Sequence, residues 1–201
     1  IVFFVIVLGC ALSGILMSSP VASIVLASVI ILAFGIWDDI NGILAPWKIL
    51  GQALATLLLI SQGIQVRFLG NVFFDIFFTF LWVIGITNAF NLVDSMDGLA
   101  VGLGGITAVF LTIGTLYAGQ ESLALFGAIL LGGCIGVFYS NRSPSRLFLG
   151  DSGAQLLGFT LAALALVYTP PGLPQASSWF VPILFFSIPI FDTTLVTVSR
   201  L

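Results

Sequence analysis

The sequence contains no histidine, and its 201 residues carry only five lysines and arginines against eight aspartates and glutamates. Without imidazole, histidine-based zinc sites and Ser-His-Asp chemistry are excluded from these residues. An average soluble domain is roughly 25% charged, whereas this chain is 6% charged and 60% hydrophobic, with a mean hydropathy of +1.25. A water-facing globule is hard to build from that composition, so the chain reads as a polytopic membrane protein. The net charge of −3 and the lack of a basic tail argue against a nucleic-acid partner. Its two cysteines, Cys10 and Cys134, lie in apolar runs and read as buried free thiols. The first residue, Ile1, stands inside an apolar run with no initiator Met, basic n-region or cleavage site. The chain therefore reads as an excerpt, with further material expected at both ends.

What the sequence has in abundance is long apolar runs. A membrane-spanning helix needs about 20 mostly apolar residues, and that ruler predicts spans near 1–17, 21–37, 47–62, 72–88, 99–117, 122–139, 152–168 and 179–198. The expected fold is all-α, a polytopic transmembrane bundle of about eight spans forming one integral-membrane domain over residues 1–201. Lys48, Gln52 and Thr56 interrupt the third span. Alternation of the spans puts the connections near 38–47, 88–98 and 140–151, with the exit at 199, on one side. That side carries Lys48, Arg142, Arg146 and Arg200; the other carries only Arg67. By the positive-inside rule the first side is cytoplasmic, and it also holds Asp38, Asp39, Asp94, Asp97 and Asp151. Asp75 and Glu121 fall toward the other face as interfacial acids. Glycines four residues apart, Gly98/Gly102 and Gly132/Gly136, predict close helix contact.

Residues 88–98, Asn-Ala-Phe-Asn-Leu-Val-Asp-Ser-Met-Asp-Gly, set Asn88, Asn91, Asp94 and Asp97 at a strict spacing of three. In a helix these would share one face. Two carboxylates held that close repel by on the order of 4 kcal/mol at about 4 Å with an effective dielectric near 20, which implies a cation between them. Asp38-Asp39 follows an apolar run ending Phe34-Gly35-Ile36-Trp37, and Lys48 opens the next. Taken alone, Lys48 reads as an interfacial lysine snorkelling to the headgroups, its more common use. In residues 140–153, the backbone amides at the start of the next helix favour an anion, Asp151 reads alternatively as a simple N-cap, and Arg142 and Arg146 bind phosphate or report topology. Asp192 lies inside the last apolar run, where an acid is costly and is usually paired or functional. Carboxylate and Asn oxygens suit Mg²⁺ or Mn²⁺, and such an ion could bridge them to a pyrophosphate. The chemistry expected is phosphoryl transfer at the membrane surface.

Three ordered motifs carry a resemblance: Gly-Ile-Trp-Asp38-Asp39 with Lys48; Asn88-Ala-Phe-Asn91-Leu-Val-Asp94-Ser-Met-Asp97-Gly-Leu-Ala; and Arg146-Leu-Phe148-Leu-Gly-Asp151-Ser-Gly. Pro189-Ile-Phe-Asp192 adds a fourth. Together they resemble the polyprenyl-phosphate N-acetylhexosamine-1-phosphate transferases, glycosyltransferase family 4, over nearly the whole chain. The resemblance implies transfer of a sugar 1-phosphate from a UDP-sugar to undecaprenyl phosphate, with release of UMP, in a bacterial plasma membrane. It implies Asp151 as ligand to Mg²⁺ (Mn²⁺ is the alternative), with Asn91 able to share the ion. Asp97 and Phe148 match the uracil pocket, Asp38 and Asp39 the paired aspartates that activate the lipid phosphate, and Lys48 a phosphate contact. Asp94 lines the same cleft among the catalytic residues, and Asn88, Arg142 and Arg146 fall with the substrate-binding set. A homodimer is carried as an expectation of assembly.

Ser95 stands where the family usually has glycine, and Ala154 replaces a common serine. The family's histidine-containing loop is expected beyond Leu201. The short link from Asp39 to Lys48 is more similar to the GlcNAc branch than to the muramoyl-pentapeptide branch, which remains the alternative. An ion-coupled transporter predicts carboxylates near mid-membrane, whereas here only Asp192 is clearly inside a span. The CDP-alcohol phosphotransferases also use Asp-Gly, but Leu99-Ala100-Val101 lacks the arginine they place there.

Overall fold

The computed structural model describes residues 1–67, 70–143, 148–172 and 180–199. All regular structure among them is helical: α1 (Val2–Ser13), α2 (Ser19–Asn41), α3 (Ala45–Ser61), α4 (Val72–Val93), α5 (Leu99–Tyr117), α6 (Glu121–Asn141), α7 (Gly150–Val167), α8 (Phe180–Phe185) and α9 (Ser187–Ser199). Helices α2, α4, α5, α6 and α7 are long and apolar enough to cross a membrane, while α1 and α3 are shorter apolar helices. The protein is thus an all-α bundle of multi-pass membrane type. Large apolar side chains such as Leu12, Phe73 and Leu81 face outward, as expected where the solvent is lipid.

Helix α7 is the axis of the bundle. Every residue from Ala154 to Leu166 is buried, and α7 packs against α2, α4 and α5 while α5 and α6 pair as a hairpin. Glycines set the closest approaches. A Cβ on Gly35 of α2 would lie 2.5 Å from Ser152 Cα, and one on Gly158 of α7 would lie 3.0 Å from Thr87 Cα. Of the glycine pairs read from spacing, Gly98 and Gly102 do meet a neighbour, Phe138, whereas Gly132 and Gly136 meet nothing within 4 Å.

The predicted spans are recovered with two changes. A continuous first helix over 1–17 is instead broken at Gly14, which turns left-handed at φ 74° before a short 3-10 turn. The third span, despite its polar residues, is a full helix, because those side chains point at partners inside the bundle (below). The last span divides into α8 and α9: Pro189 has no N–H to offer the Phe185 carbonyl four residues back, and Thr107 Oγ1 donates to that carbonyl at 3.3 Å instead.

The two ends of the bundle match the expected alternation. At one end Lys48 meets Asp38 and Asp151, and Gly98 N donates to Asn141 Oδ1 at 3.0 Å. At the other, Ser18 contacts Ser122 at 3.4 Å and Thr169 N donates to Gln120 Oε1 at 3.4 Å. Asp75 and Glu121 occupy the first turns of α4 and α6, where an acid complements the helix dipole. Asp75 is buried rather than surface-facing, because α4 is covered at that turn by the chain returning from α3, where Val66 N donates to Thr79 Oγ1 at 2.9 Å.

Because backbone rather than a flexible side chain opposes Gly35, Gly35→Ala is expected to destabilise the bundle by about 1–3 kcal/mol, whereas Gly136→Ala is neutral or slightly stabilising. Thermal midpoints of the two variants in one detergent check the contrast.

Candidate functional site

The site forms where the ends of α2, α3, α4 and α7 converge. Asp38 lies in the last turn of α2, which Gly42 closes in a left-handed conformation with its N–H on the Asp38 carbonyl at 2.8 Å. The chain then doubles back, and Ile43 N donates to Asp38 Oδ1 at 3.0 Å. This short loop aims Lys48, in the first turn of α3, at its own entry helix. The Lys48 ammonium pairs with Asp38 Oδ2 and with Asp151 Oδ2, the latter at 2.6 Å. Asp38 is only 6% exposed. A carboxylate buried that far is stable as an ion only with such a partner.

Asp38 and Asp39 are neighbours in sequence with separate duties in space. Asp39 is exposed and reaches the start of α7, where its Oδ1 accepts from Asp151 N at 2.8 Å and Ser152 Oγ donates to its Oδ2. The anion at that helix N-terminus is therefore a side chain of α2, and Asp151 is not the cap. Gly150 permits this: it is left-handed at φ 70°, and a Cβ there would sit 3.1 Å from Asp39 Oδ2. A cap of this kind contributes about 0.5–2 kcal/mol.

The polar segment 88–98 is not one helix. Asn88 and Asn91 lie in the last turns of α4, which ends at Val93, and residues 94–98 turn into α5 through left-handed Gly98. Asp94 and Asp97 therefore do not share a helix face. They remain electrostatic neighbours, and burial pushes the Asp94 carboxyl up to about 6, with Asp151 and Asp97 adding to the rise. Asn91 lies within hydrogen-bonding reach of the Asp151 carboxylate, and its Oδ1 is buried without a partner.

The remaining predicted residues are more dispersed. Phe148 is largely exposed and lines a cavity of about 220 Å³ with Val2, Leu32 and Val137. Arg142 caps α6, exposed, over the Tyr139 ring at 5.2 Å. Arg146 lies outside the described residues. Asp192 is half-buried on α9, beside Thr193. Four residues that the motifs do not single out complete the site: Asn141, which ties Gly98 to the end of α6, Ser152 on Asp39, and Gln52 and Gln155, buried four residues after Lys48 and Asp151. The signal for the last two was present as lone amides inside apolar spans.

Chemically, one ammonium is shared by two carboxylates, Asp38 and Asp151, with Asp39 bound at the start of α7 and Asp94 close enough to Asp151 to feel its charge. The Asp151 carboxylate and the orphaned Asn91 oxygen are a donor pair suited to a hard divalent cation. Among the described residues no three His, Cys, Asp or Glu side chains converge as a ready-made cage. An ion held here would complete its shell with water and substrate oxygens, which is the habit of Mg²⁺.

Comparison with known proteins identifies the family. The family model for Glycosyl transferase family 4 matches residues 21–169. A probable undecaprenyl-phosphate N-acetylglucosaminyl 1-phosphate transferase of Bacillus subtilis (strain 168) is 31% identical, over 100% of this chain and 58% of that protein. A decaprenyl-phosphate N-acetylglucosaminephosphotransferase of Mycolicibacterium smegmatis is 30% identical, over 93% of this chain and 53% of that protein. A phospho-N-acetylmuramoyl-pentapeptide-transferase of Limosilactobacillus fermentum is 34% identical, over 66% of this chain and 46% of that protein. The chain thus spans about half the length of the curated relatives it matches. With the matched stretch running from the start of α2 to the end of α7 and enclosing Asp38, Lys48, Asn91 and Asp151, this chain belongs to glycosyl transferase family 4.

Proposed function

We propose that the protein containing this chain transfers a sugar 1-phosphate, GlcNAc-1-phosphate in the first instance, from a UDP-sugar to undecaprenyl phosphate at the cytoplasmic face of a bacterial plasma membrane. A phosphate oxygen of the lipid attacks the sugar-bearing phosphorus, the bridging P–O bond breaks, and UMP leaves with that bond's electrons. The observation that carries the reading is the single ammonium of Lys48 set among Asp38, Asp151 and the Asn91 oxygen. Such a site repels a pyrophosphate until further positive charge enters. We propose Mg²⁺, with Mn²⁺ as the alternative, held by Asp151 and Asn91; when bound it offsets charge on the phosphate oxygens.

The chain's own residues then have definable tasks. A phosphate monoester is largely ionised at neutral pH, its second pKa being about 6, so the lipid phosphate needs charge compensation more than a base. Lys48 supplies it by turning from Asp151 to phosphate, while the buried Asp38 keeps hold of the ammonium. Asp39 holds α2 to the start of α7 and so keeps Asp151 in place. The lipid tail has a candidate path in the cavity of about 510 Å³ between α4 and α9, lined by Phe78, Trp82, Ile86 and Ile190. Its lining includes Ala89, next to Asn88. Trp37 and Trp47, with ring centroids 6.0 Å apart beside the site, suit the headgroup level.

The full-length protein with UDP-GlcNAc, undecaprenyl phosphate and Mg²⁺ is expected to release UMP, measured by a coupled nucleotide assay; release from UDP-MurNAc-pentapeptide alone would move the assignment to that branch. Asp151→Asn is expected to lower kcat by about 10²–10³-fold while the protein stays folded. Lys48→Met leaves Asp38 buried and unpaired, so it is expected to cost about 3–5 kcal/mol of stability. Adding Asp38→Asn should recover most of that in thermal midpoint without restoring turnover. Finally, the folded chain holds the Asp94 proton up to about pH 6 whereas an unfolded carboxyl releases it near 3.8. That contribution to stability is full below about 3.8 and is lost as pH rises through about 6. Asp94→Asn is therefore expected to raise the thermal midpoint of the metal-free protein at about pH 8, and to lose that advantage near pH 4.

A further inference from the structure

Beneath the Lys48 cluster lies a second polar layer that the reaction above does not use. Gln52 follows Lys48 by four residues on α3, Gln155 follows Asp151 by four on α7, and Asn88 precedes Asn91 by three on α4. Each therefore sits one turn from a member of the upper layer on the same helix face. Gln52 Nε2 donates to Gln155 Oε1 at 3.2 Å and to Asn88 Oδ1 at 3.4 Å. Asn88 Nδ2 donates to Gln52 Oε1 at 2.7 Å and to the Ile84 carbonyl at 2.8 Å. Gln52 is 1% exposed and Gln155 2%.

Amides this deep in an apolar bundle are costly. Gln155 Nε2 has no partner, and a buried donor left unsatisfied costs about 1–3 kcal/mol. Methionine would fill the same space without that cost, so packing does not account for the amide. The arrangement of the helices does. Helix α3 packs on α2 and α4, and α7 packs on α2, α4 and α5, with no extended backbone contact between α3 and α7. Among the described residues, the polar links that cross from α3 to α7 are Lys48 to Asp151 and, one turn away, Gln52 to Gln155. The first link opens when Lys48 turns to a phosphate. The second carries no charge and has no reason to open.

We propose that Gln52 and Gln155 are positioning residues. Their amide pair is a crossbar that holds α3 and α7 at a fixed separation while Lys48 and Asp151 engage substrate. Asn88 belongs to this layer, locked by Gln52, rather than to the set that touches substrate. The proposal rests on the transferase reading, since it concerns what happens when Lys48 leaves Asp151.

The test is a double-mutant cycle on the full-length protein, with UMP release measured from UDP-GlcNAc and undecaprenyl phosphate. Gln52→Met and Gln155→Met are each expected to lower kcat about tenfold or more, since small misplacements of reacting groups have effects of this size, with KM for the UDP-sugar changed less than about threefold. If the two amides act as one link, the double variant is no more than about threefold slower than the slower single variant. Gln155→Glu keeps the accepting oxygen and the volume, and is expected to fold and to turn over faster than Gln52→Met by about tenfold. Wild-type kcat in both Met variants, losses that multiply in the double variant, or a folded Gln155→Glu as slow as Gln52→Met would each overturn the crossbar. A wild-type protein that releases no UMP overturns the transferase reading beneath it, whereas an active wild type with any of those three results overturns the proposal alone.

Discussion

The Lys48 ammonium, shared between Asp38 and Asp151, is the interaction on which the rest of the site depends. It joins α2, α3 and α7 at one end of the bundle and makes the burial of Asp38 tolerable. Ion pairs of this kind are seldom the cheapest way to stabilise a protein, because well-packed apolar residues often serve as well or better. A bundle otherwise assembled from apolar contacts has no structural need of one. Near it lie Asp39, Asp94 and the orphaned Asn91 oxygen, the polar groups on which the proposed function is built.

Around that pair, the membrane setting dictates the design. Apolar side chains cover the outer surface, so close glycine contacts rather than a hydrophobic driving force set helix spacing, as where Gly35 meets Ser152 and Gly158 meets Thr87. At the Lys48 end the polar groups are arranged in two levels. The upper level is charged and can exchange partners; the lower is a neutral amide layer whose bonds link three helices. Asp39 adds a third kind of contact by lending its charge to the start of α7. The charged level is thereby held between helices that the amide layer and the Asp39 contact also tie together.

Much of this was legible from the residues in order. Long apolar runs announced the helices, and their alternation put Asp38, Asp94 and Asp151 at one end, because each span must cross and return. The regular spacing of 88–98 was misleading: a period of three suggested a continuous helix face, but the chain must turn at Asp94 to enter α5, and Gly98 supplies the left-handed turn. In sequence the Asp38-Asp39 pair looks like a unit. On a helix, adjacent residues point about 100° apart, so one aspartate met Lys48 and the other met α7. Gln52 looked like a defect in a weak span, since a polar side chain in an apolar run gives no hint of a partner 103 residues away.

By itself, then, the amino-acid sequence determined the class of the protein: an all-α membrane bundle, its acids gathered on one face, in an ordered set of motifs shared with glycosyl transferase family 4. These properties follow from hydropathy, span length and residue identity, which are local quantities. Only the tertiary structure decided which aspartate holds Lys48, which one caps α7, and which amides link across the bundle. Those pairings depend on the direction in which each side chain leaves its helix and on how closely glycine lets the helices approach, and neither is written in any single segment.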